Sequence, residues 1–494
     1  VEKIPMEFFQ GVAMFQWILA VAAMICFSGT LAAVAKEPAK PSGSVTSGES
    51  LSTILETQDT TGPVNVVMIV SDDQAWTDYG FMKHHAIQTP NLDRLAARSA
   101  LFRRGYTPTP LCRPSLMSMI TGHYAHRHGV TGNDPRQDKS LRPEEYAALR
   151  EQLISKIDSI PTIPKRLAES GYVSLQTGKW WEGNFSRGGF TDGMTRGFPQ
   201  PGGRHGDDGL DIGRKGIGRI REFIDSAVAG QKPFFVWYAP ILPHTPHTPP
   251  QRLLEKYQSP DRPIELARYF AMCEWFDETC GELLNHLDER KLTSRTLVVY
   301  VTDNGWIQAT SEMKLGKEWN HGFAPRSKQT SYEGGIRTPI MFSWPGTIPP
   351  ADLETPITTL DVFPTIMAAT GRIAPDDLPG SNLLPLMIEQ RPLNRKFLCG
   401  ESYSHDIADL DRPEASLITR WCIEGRWKLI LTYEAPEDRY SFVHAVNEKR
   451  PQLFDVVADP TEKQNLADSH PDVVKQMSEH LQSVWKLDKS PIAQ

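Results

Sequence analysis

The sequence predicts an α/β fold: an open, mostly parallel sheet flanked by helices, followed by a smaller α+β unit. Three observations lead there. Apolar runs of strand length recur down the chain, helical patterns lie between them, and each run stops in a cluster of polar or charged residues. Strand alternating with helix is the pattern of an open α/β sheet. In such sheets ligands bind beyond the carboxyl ends of the strands, so the polar clusters fall where a shared site belongs.

Ahead of the first strand, residues 1–35 read as an export signal. An apolar core, Trp17 to Cys26, continues through small residues to Ala33-Val34-Ala35, a cleavage site of the A-x-A kind. Lys3 is the only basic residue ahead of the core, a weak positive n-region, and Met6 and Met14 are alternative starts. The apolar stretch is short for a membrane span, so the expectation is a periplasmic or secreted protein with no stable anchor after cleavage. Residues 36–63, rich in Ser, Thr, Gly, Pro and Glu, read as a flexible linker.

Residues 64–373 read as the main domain. Val64 to Val70 is a near-continuous apolar run, as in a strand buried on both faces, and it ends in Ser71-Asp72-Asp73. Asn91 is read as the cap of a helix over Leu92 to Ala100. Cys112 stands in a Cys-Arg-Pro-Ser run before the apolar segment Leu116 to Ile120, which closes at Thr121-Gly122. Pro114 suits the first turn of a helix, which puts Cys112 at a helix N-terminus, where the dipole favours negative charge. Thr162 caps Ile163 to Ser170, with Gly171 just past its end. Strands at Tyr172 to Thr177, Pro233 to Tyr238 and Thr296 to Thr302 end in Gly178-Lys179-Trp180, in a loop reaching His244, and in Asp303-Asn304-Gly305. A long amphipathic helix spans Glu265 to Lys291. Residues 374–494 read as a C-terminal subdomain. Leu378 to Leu386 is loop-like, and Trp421 to Leu431 is a hairpin turning at Glu424-Gly425. A strand begins at Leu453, and a closing helix lies near Pro471 to Leu487.

Composition narrows the function. Among 494 residues, 53 Lys and Arg against 60 Asp and Glu give a net charge of −7, with no basic block to bind nucleic acid. The length suffices for two or three domains, and 39% hydrophobic with 23% charged residues is ordinary for a globular protein. The six cysteines form no evident framework; Cys273 and Cys280, seven apart on the long helix, are separated by about 10 Å of helical rise, too far to bridge.

Asp72, Asp73, Asp303 and Asn304 offer hard oxygen ligands from two strand ends, which suits Ca²⁺, or Mg²⁺ as second choice, rather than zinc. A helix cap or turn explains Asp72-Asp73 as well, and a hairpin turn explains Asp303-Asn304-Gly305. The hairpin is weakened because Trp306 to Lys317 does not alternate like a returning strand. Lys179 follows a glycine at a strand end, and His244 and His247 lie in a proline-rich loop. Lys328 precedes Tyr332-Glu-Gly-Gly-Ile-Arg337, whose double glycine implies a tight turn or a close backbone approach.

Cys112, Pro114, Ser115, Thr121 and Gly122 stand at the spacing of the sulfatase signature, Cys-x-Pro-Ser-Arg followed by Thr-Gly. The other clusters follow in family order, so the chain from Val64 onward resembles the formylglycine-dependent type I sulfatases of the alkaline-phosphatase-like superfamily. The resemblance implies that superfamily's mostly parallel sheet, with a small antiparallel sheet and one helix after it. It implies an exported, metal-dependent sulfuric ester hydrolase, with sulfated polysaccharide or oligosaccharide as the substrate that export suggests. Cys112 would be oxidised to formylglycine by a formylglycine-generating enzyme. Its hydrated aldehyde would be the nucleophile and would share one cation with Asp72, Asp73, Asp303 and Asn304. Lys179 and Lys328 would bind the sulfate oxygens, and His244 would protonate the leaving group.

Two positions depart from the family pattern. Leu116 replaces the signature's arginine, and Trp181 replaces the histidine two residues after the sulfate-binding lysine. His123, His126, Arg127, His128 and His205 are open as replacements, as lining of the cleft, or as packing residues. Three rival readings stand beside sulfatase activity: a phosphate or phosphonate monoesterase on the same fold, a non-catalytic binder of sulfated glycan, and an enzyme using unmodified Cys112.

Overall fold

The first strand, Asn65–Ser71 (β1), is completely buried and runs through the middle of the main sheet. It is drawn from a computed structural model describing residues 62–310, 322–435 and 449–492. The expected export signal, nearly all of the expected linker, and part of the stretch after Trp306 lie outside the described residues. Ala100–Tyr106 (β2), Val173–Gly178 (β3), Phe234–Ala239 (β4), Thr296–Thr302 (β5) and Arg337–Ser343 (β6) complete the sheet, in the order β2-β6-β5-β1-β4-β3. Short segments, Ala351–Leu353 and Ile357–Thr358 beside β2 and Asp192–Gly193 beside β3, finish its edges. β1 is parallel to both β4 and β5, and β3 is parallel to β4. β6 alone runs antiparallel, to β5 and to β2.

The continuous apolar run of β1 is explained by the two cores it feeds. Val66, Met68 and Val70 point into one, with Leu116, Ile163 and Val362; Val67 and Ile69 point into the other, with Leu92, Ile220 and Phe276. Helices Cys112–Thr121, Ile163–Ala168 and Val362–Ala369 therefore cover one face, and Pro90–Ala97, Gly218–Ala229 and Ile264–Glu289 the other. Each such side chain, fully buried, contributes about 1.5–3 kcal/mol.

The helix after β1, Pro90–Ala97, departs from expectation at both ends. It begins at Pro90 rather than after an Asn91 cap, and Asn91 Nδ2 instead donates to Asp277 Oδ2 at 2.8 Å. It stops at Ala97 because Ala100 already belongs to β2. Thr162 does cap its helix, accepting from the amide of Lys165.

In the C-terminal part, Leu398–Tyr403 (β7), Leu417–Glu424 (β8), Trp427–Thr432 (β9) and Gln452–Asp455 (β10) form an antiparallel sheet in that order. One face packs Cys399, Leu429 and Leu431 against Met477 and Leu481 of the closing helix Pro471–Val484. The other packs Trp421, Ile423 and Phe454 against Tyr106, Tyr332 and Ile336 of the main domain. The hairpin turns at Gly425-Arg426, one residue later than expected, and Gly425 takes φ +57°.

Candidate active site

The ladder of β1 with β5 ends at Ser71 opposite Thr302, and that of β3 with β4 ends at Gly178 opposite Ala239. Asp72, Asp303 and Lys179 therefore leave the sheet side by side. The backbone holds them: Asp303 N donates to Ser71 O at 2.9 Å, and Asp72 N to Leu242 O at 3.0 Å. Asp73 takes φ +60°, a left-handed conformation that aspartate tolerates better than most residues. Gly178, just before Lys179, combines φ +79° with a backbone approach so close that a Cβ would stand 1.9 Å from Ala239 O. Gly178→Ala is expected to destabilise the protein by about 1–3 kcal/mol in urea unfolding. It should also weaken substrate binding, because the strain falls on the backbone that aims Lys179.

The cysteine segment forms a helix, Cys112–Thr121, starting at the cysteine itself. Ser115 Oγ donates to the carbonyl of Asp303 at 2.5 Å, tying this helix to the end of β5. Gly122 closes it at φ +73°. Arg113 is buried beside Cys112. Its Nε and Nη2 donate to Glu182 at 2.8 and 2.6 Å, and its Nη1 donates to Asn133 O at 3.1 Å. This pair joins the helix that begins at Cys112 to the segment after Lys179. Glu182→Ala leaves the guanidinium buried without its counter-charge, which should cost about 3–5 kcal/mol in chemical unfolding.

All the sequence-predicted site residues meet in one place. Lys328 Nζ lies 2.5 and 2.7 Å from the two oxygens of Asp73 and 3.2 Å from Cys112 Sγ. Lys179 Nζ lies 2.7 Å from Asp72 Oδ1 and 4.0 Å from Asp303 Oδ2. Asn304 Nδ2 donates to Asp73 Oδ1 at 2.7 Å. His244 Nδ1 donates to the Thr245 carbonyl at 2.6 Å, which turns Nε2 toward Asp73 Oδ2, 3.3 Å away. The double glycine has the reason expected of it: a Cβ on Gly335 would stand 2.1 Å from Thr330 O. That approach draws the Lys328 loop against the site.

The donor set fits a hard divalent cation. Asp72 Oδ2, Asp303 Oδ2 and Asn304 Oδ1 are buried acceptors with no hydrogen-bond donor among the described residues. Leaving such groups unmatched is costly, and oxygen ligands of this kind are what Ca²⁺ and Mg²⁺ take. Ligand atoms of Asp72, Asp73, Cys112 and His244 all lie within 4.8 Å of one another. Burial, reinforced by Asp72, raises the Asp303 carboxyl well above the usual range, so the two lysines do not supply all the positive charge this cluster needs. Burial also works against ionisation of Asp73, but Lys328, His244 and Lys179 outweigh it and hold that carboxyl below the usual range. Burial pushes the Cys112 thiol up to about 12 despite the pull of Lys179 and Lys328.

The walls of the cleft are only partly those foreseen. Trp181, Arg204, His205, Asn133 and His405 line it beside Asp73, Cys112, Lys179, His244 and Lys328. Arg204 lies over the Trp181 ring at 4.5 Å and donates through Nε to Asp134 at 3.0 Å. His205 leans on the same ring at 5.2 Å. His405 follows the end of β7, with Nε2 3.2 Å from Asn133 Nδ2. Of the five undecided residues, only His205 reaches the cleft. His126 pairs with Glu401 and stacks on Trp485, His128 bonds Ser118 Oγ, and His123 and Arg127 face Asp377. No motif marks Arg204 or His405. Leu116 stands in the apolar core, so hydrocarbon occupies the place of the signature's arginine.

Comparison with known proteins agrees with this geometry. The sulfatase family model matches residues 64–372, and the model for the C-terminal part of N-sulphoglucosamine sulphohydrolase matches residues 320–487. The N-acetylgalactosamine-6-sulfatase of the dog, Canis lupus familiaris, is 27% identical over 362 residues, which cover 66% of each chain. The N-acetylgalactosamine-6-O-sulfatase of Bacteroides thetaiotaomicron is 23% identical over 498 residues, covering 85% of this chain and 93% of that one. The chain thus spans about two thirds of the canine relative's length and most of the bacterial one's. A solved structure from work on the metabolism of multiple glycosaminoglycans by Bacteroides thetaiotaomicron shares the fold, with a TM-score of 0.65 and 22% identity. The match covers 85% of this chain and 99% of that one.

Proposed function

The chain belongs to the sulfatase family, whose members are sulfuric ester hydrolases, and from that premise we propose that it cleaves sulfate esters of carbohydrate through an oxidised Cys112. The observation that carries this reading is the convergence of Cys112, Lys328, Asp73 and three unmatched acceptor oxygens at the ends of parallel strands. Export through residues 1–35 and maturation by a formylglycine-generating enzyme belong to the same proposal.

Asp72, Asp73, Asp303 and Asn304 would hold the cation, Ca²⁺ or Mg²⁺, next to position 112; when bound it acts as a Lewis acid that favours an ionised hydroxyl there. Formylglycine in place of Cys112 supplies a hydrated aldehyde, with one hydroxyl to attack sulfur and a second to let the sulfate go. The rest falls to the chain's own groups. Lys328 and Lys179 flank position 112 and neutralise the sulfuryl oxygens, whose charge is what such a displacement chiefly needs stabilised. Both ammonium groups are already fixed by Asp73 and Asp72, so they need no reorientation when substrate arrives. His244 carries its Nδ1 proton on the Thr245 carbonyl, so a proton held at Nε2 is the one it delivers to the departing alkoxide. Trp181 brings no base to the second step.

The polar walls favour a hydroxyl-rich leaving group. Arg204, His405 and Asn133 present hydrogen-bonding groups around the mouth, and the names of the relatives point to 6-sulfated N-acetylgalactosamine as the first sugar to try. Initial rates on that sugar sulfate, an aryl sulfate and an aryl phosphate should rank in that order in the presence of calcium. Faster phosphate turnover would move the assignment to the monoesterase reading, and binding of sulfated oligosaccharide without sulfate release would move it to the binder. Mass spectrometry of the tryptic peptide Gly105 to Arg127, from protein made with the modifying enzyme, should show the aldehyde. An intact thiol throughout would remove the nucleophile.

A further inference from the structure

The C-terminal sheet contains a second pair of reactive groups, which none of the roles above uses. Cys399 in β7 and Cys422 in β8 are direct partners in the antiparallel register, with Sγ atoms 3.5 Å apart. Both are buried, at 5% and 0% exposure, so a bond between them would be shielded once made. Directly opposed residues of an antiparallel pair have Cα atoms about 4.5 or 5.5 Å apart, and a disulfide spans either distance. The sulfurs need only close to a bond length of about 2.0 Å, by small rotations about Cα–Cβ and without movement of either strand. The other described cysteines are placed elsewhere: Cys112 in the active site, Cys273 and Cys280 in separate cores of the main domain.

We propose that Cys399 and Cys422 form an intramolecular disulfide that staples β7 to β8. The electron acceptor is a small-molecule disulfide of the glutathione class. Cys399, as thiolate, attacks one sulfur of that oxidant and releases one thiol. Cys422 then gives up its proton and attacks Cys399 Sγ, releasing the second. The protein loses two protons and two electrons, and one small disulfide becomes two thiols. The order of attack follows from the surroundings. The hydrogen bond shared with Cys422 and the nearby His480 lower the Cys399 thiol to about 6, while burial raises Cys422 well above the usual thiol range.

The staple bears on the catalytic cleft through β7. Ser402 Oγ donates to the carbonyl of Gln329 at 2.9 Å, next to Lys328, and the strand runs on to His405 in the cleft wall. Fixing β7 to the centre of the C-terminal sheet therefore fixes one support of the Lys328 loop.

The test needs no activity, so its failure would leave the sulfatase reading untouched. Reduced, folded protein is incubated with glutathione disulfide, quenched in acid, unfolded, alkylated and digested with trypsin, which separates the two cysteines by cutting after Arg420. The expected product is Phe397 to Arg420 linked to Trp421 to Arg426, in a protein about 2 Da lighter than the reduced form. The oxidised protein should also melt at a higher temperature than the reduced one, and Cys422→Ser should melt alike with and without the oxidant. Alkylation of both cysteines after prolonged incubation would overturn the proposal, as would a link from either of them to another cysteine.

Discussion

Cys112→Ala is expected to abolish sulfate release, lowering kcat by about 10⁴-fold or more. The size of the effect follows from the role. Residue 112 is the only group in the cluster that becomes covalently bound in the proposed reaction, and removing a nucleophile costs far more than removing a group that only stabilises charge. The substitution is otherwise mild. Alanine suits the first position of the helix, and Lys328 loses its neighbour at 3.2 Å but keeps both oxygens of Asp73. The variant should therefore melt within a few degrees of the parent and should still bind a sulfated sugar. Rates of sulfate release, read beside a thermal melt and a binding isotherm, check all three points. A variant that keeps rates within tenfold of the parent would show that position 112 does no covalent chemistry.

Most of the candidate cluster was legible in the sequence because Asp72, Asp73, Lys179, Asp303 and Asn304 stand at strand ends and Cys112 opens a helix, whereas His244 and Lys328 stand in loops. Such junctions leave local marks: Ser71-Asp72-Asp73 after an apolar run, Gly178 before Lys179, proline just after Cys112. What was missed has no local mark. β2 reads Ala-Leu-Phe-Arg-Arg-Gly-Tyr, and its two arginines break the apolar pattern; in the fold they reach beyond the sheet, Arg103 to Asp352 and Arg104 to Gly425 O. β6 contains Pro339, which argues against a strand inside a sheet. It is tolerated where Thr338 and Ile340 still find partners on β2. Asn91 looked like a cap because its partner, Asp277, is supplied by a helix nearly two hundred residues away. The cleft wall is the extreme case. Arg204 and His405 line one cleft from two loops that share no pattern, and only the assembled fold shows that Trp181 is covered by Arg204 and His205. The cysteines of β7 and β8 belong to the same class, since their pairing depends on the register set by the whole antiparallel sheet.

Asp303→Asn should separate stability from activity. The substitution keeps the shape of the side chain and removes one charge from a cluster in which Asp72, Asp73 and Asp303 face two lysines. Burial disfavours the ionised form of Asp303 in the metal-free protein, so its loss there should be neutral or stabilising. The pH dependence gives the same sign. A carboxyl raised above its unfolded value holds its proton longer in the folded state, so metal-free stability is full below the ordinary carboxylate range. It is lost as the pH climbs through the raised value. An amide in place of the Asp303 carboxyl would flatten that slope. With metal the sign reverses. A ligand at a hundred times its dissociation constant stabilises the parent by about 2.7 kcal/mol, and the variant, lacking one of the unmatched oxygens that fit the cation, should gain little. Its sulfatase rate should fall by about a thousandfold, the equivalent of several kcal/mol of lost Lewis-acid assistance. Thermal melts of both proteins after chelation, and again after calcium addition, read the two effects independently. Equal calcium-induced shifts in parent and variant would exclude Asp303 from the metal site, and an unchanged rate would exclude it from the chemistry.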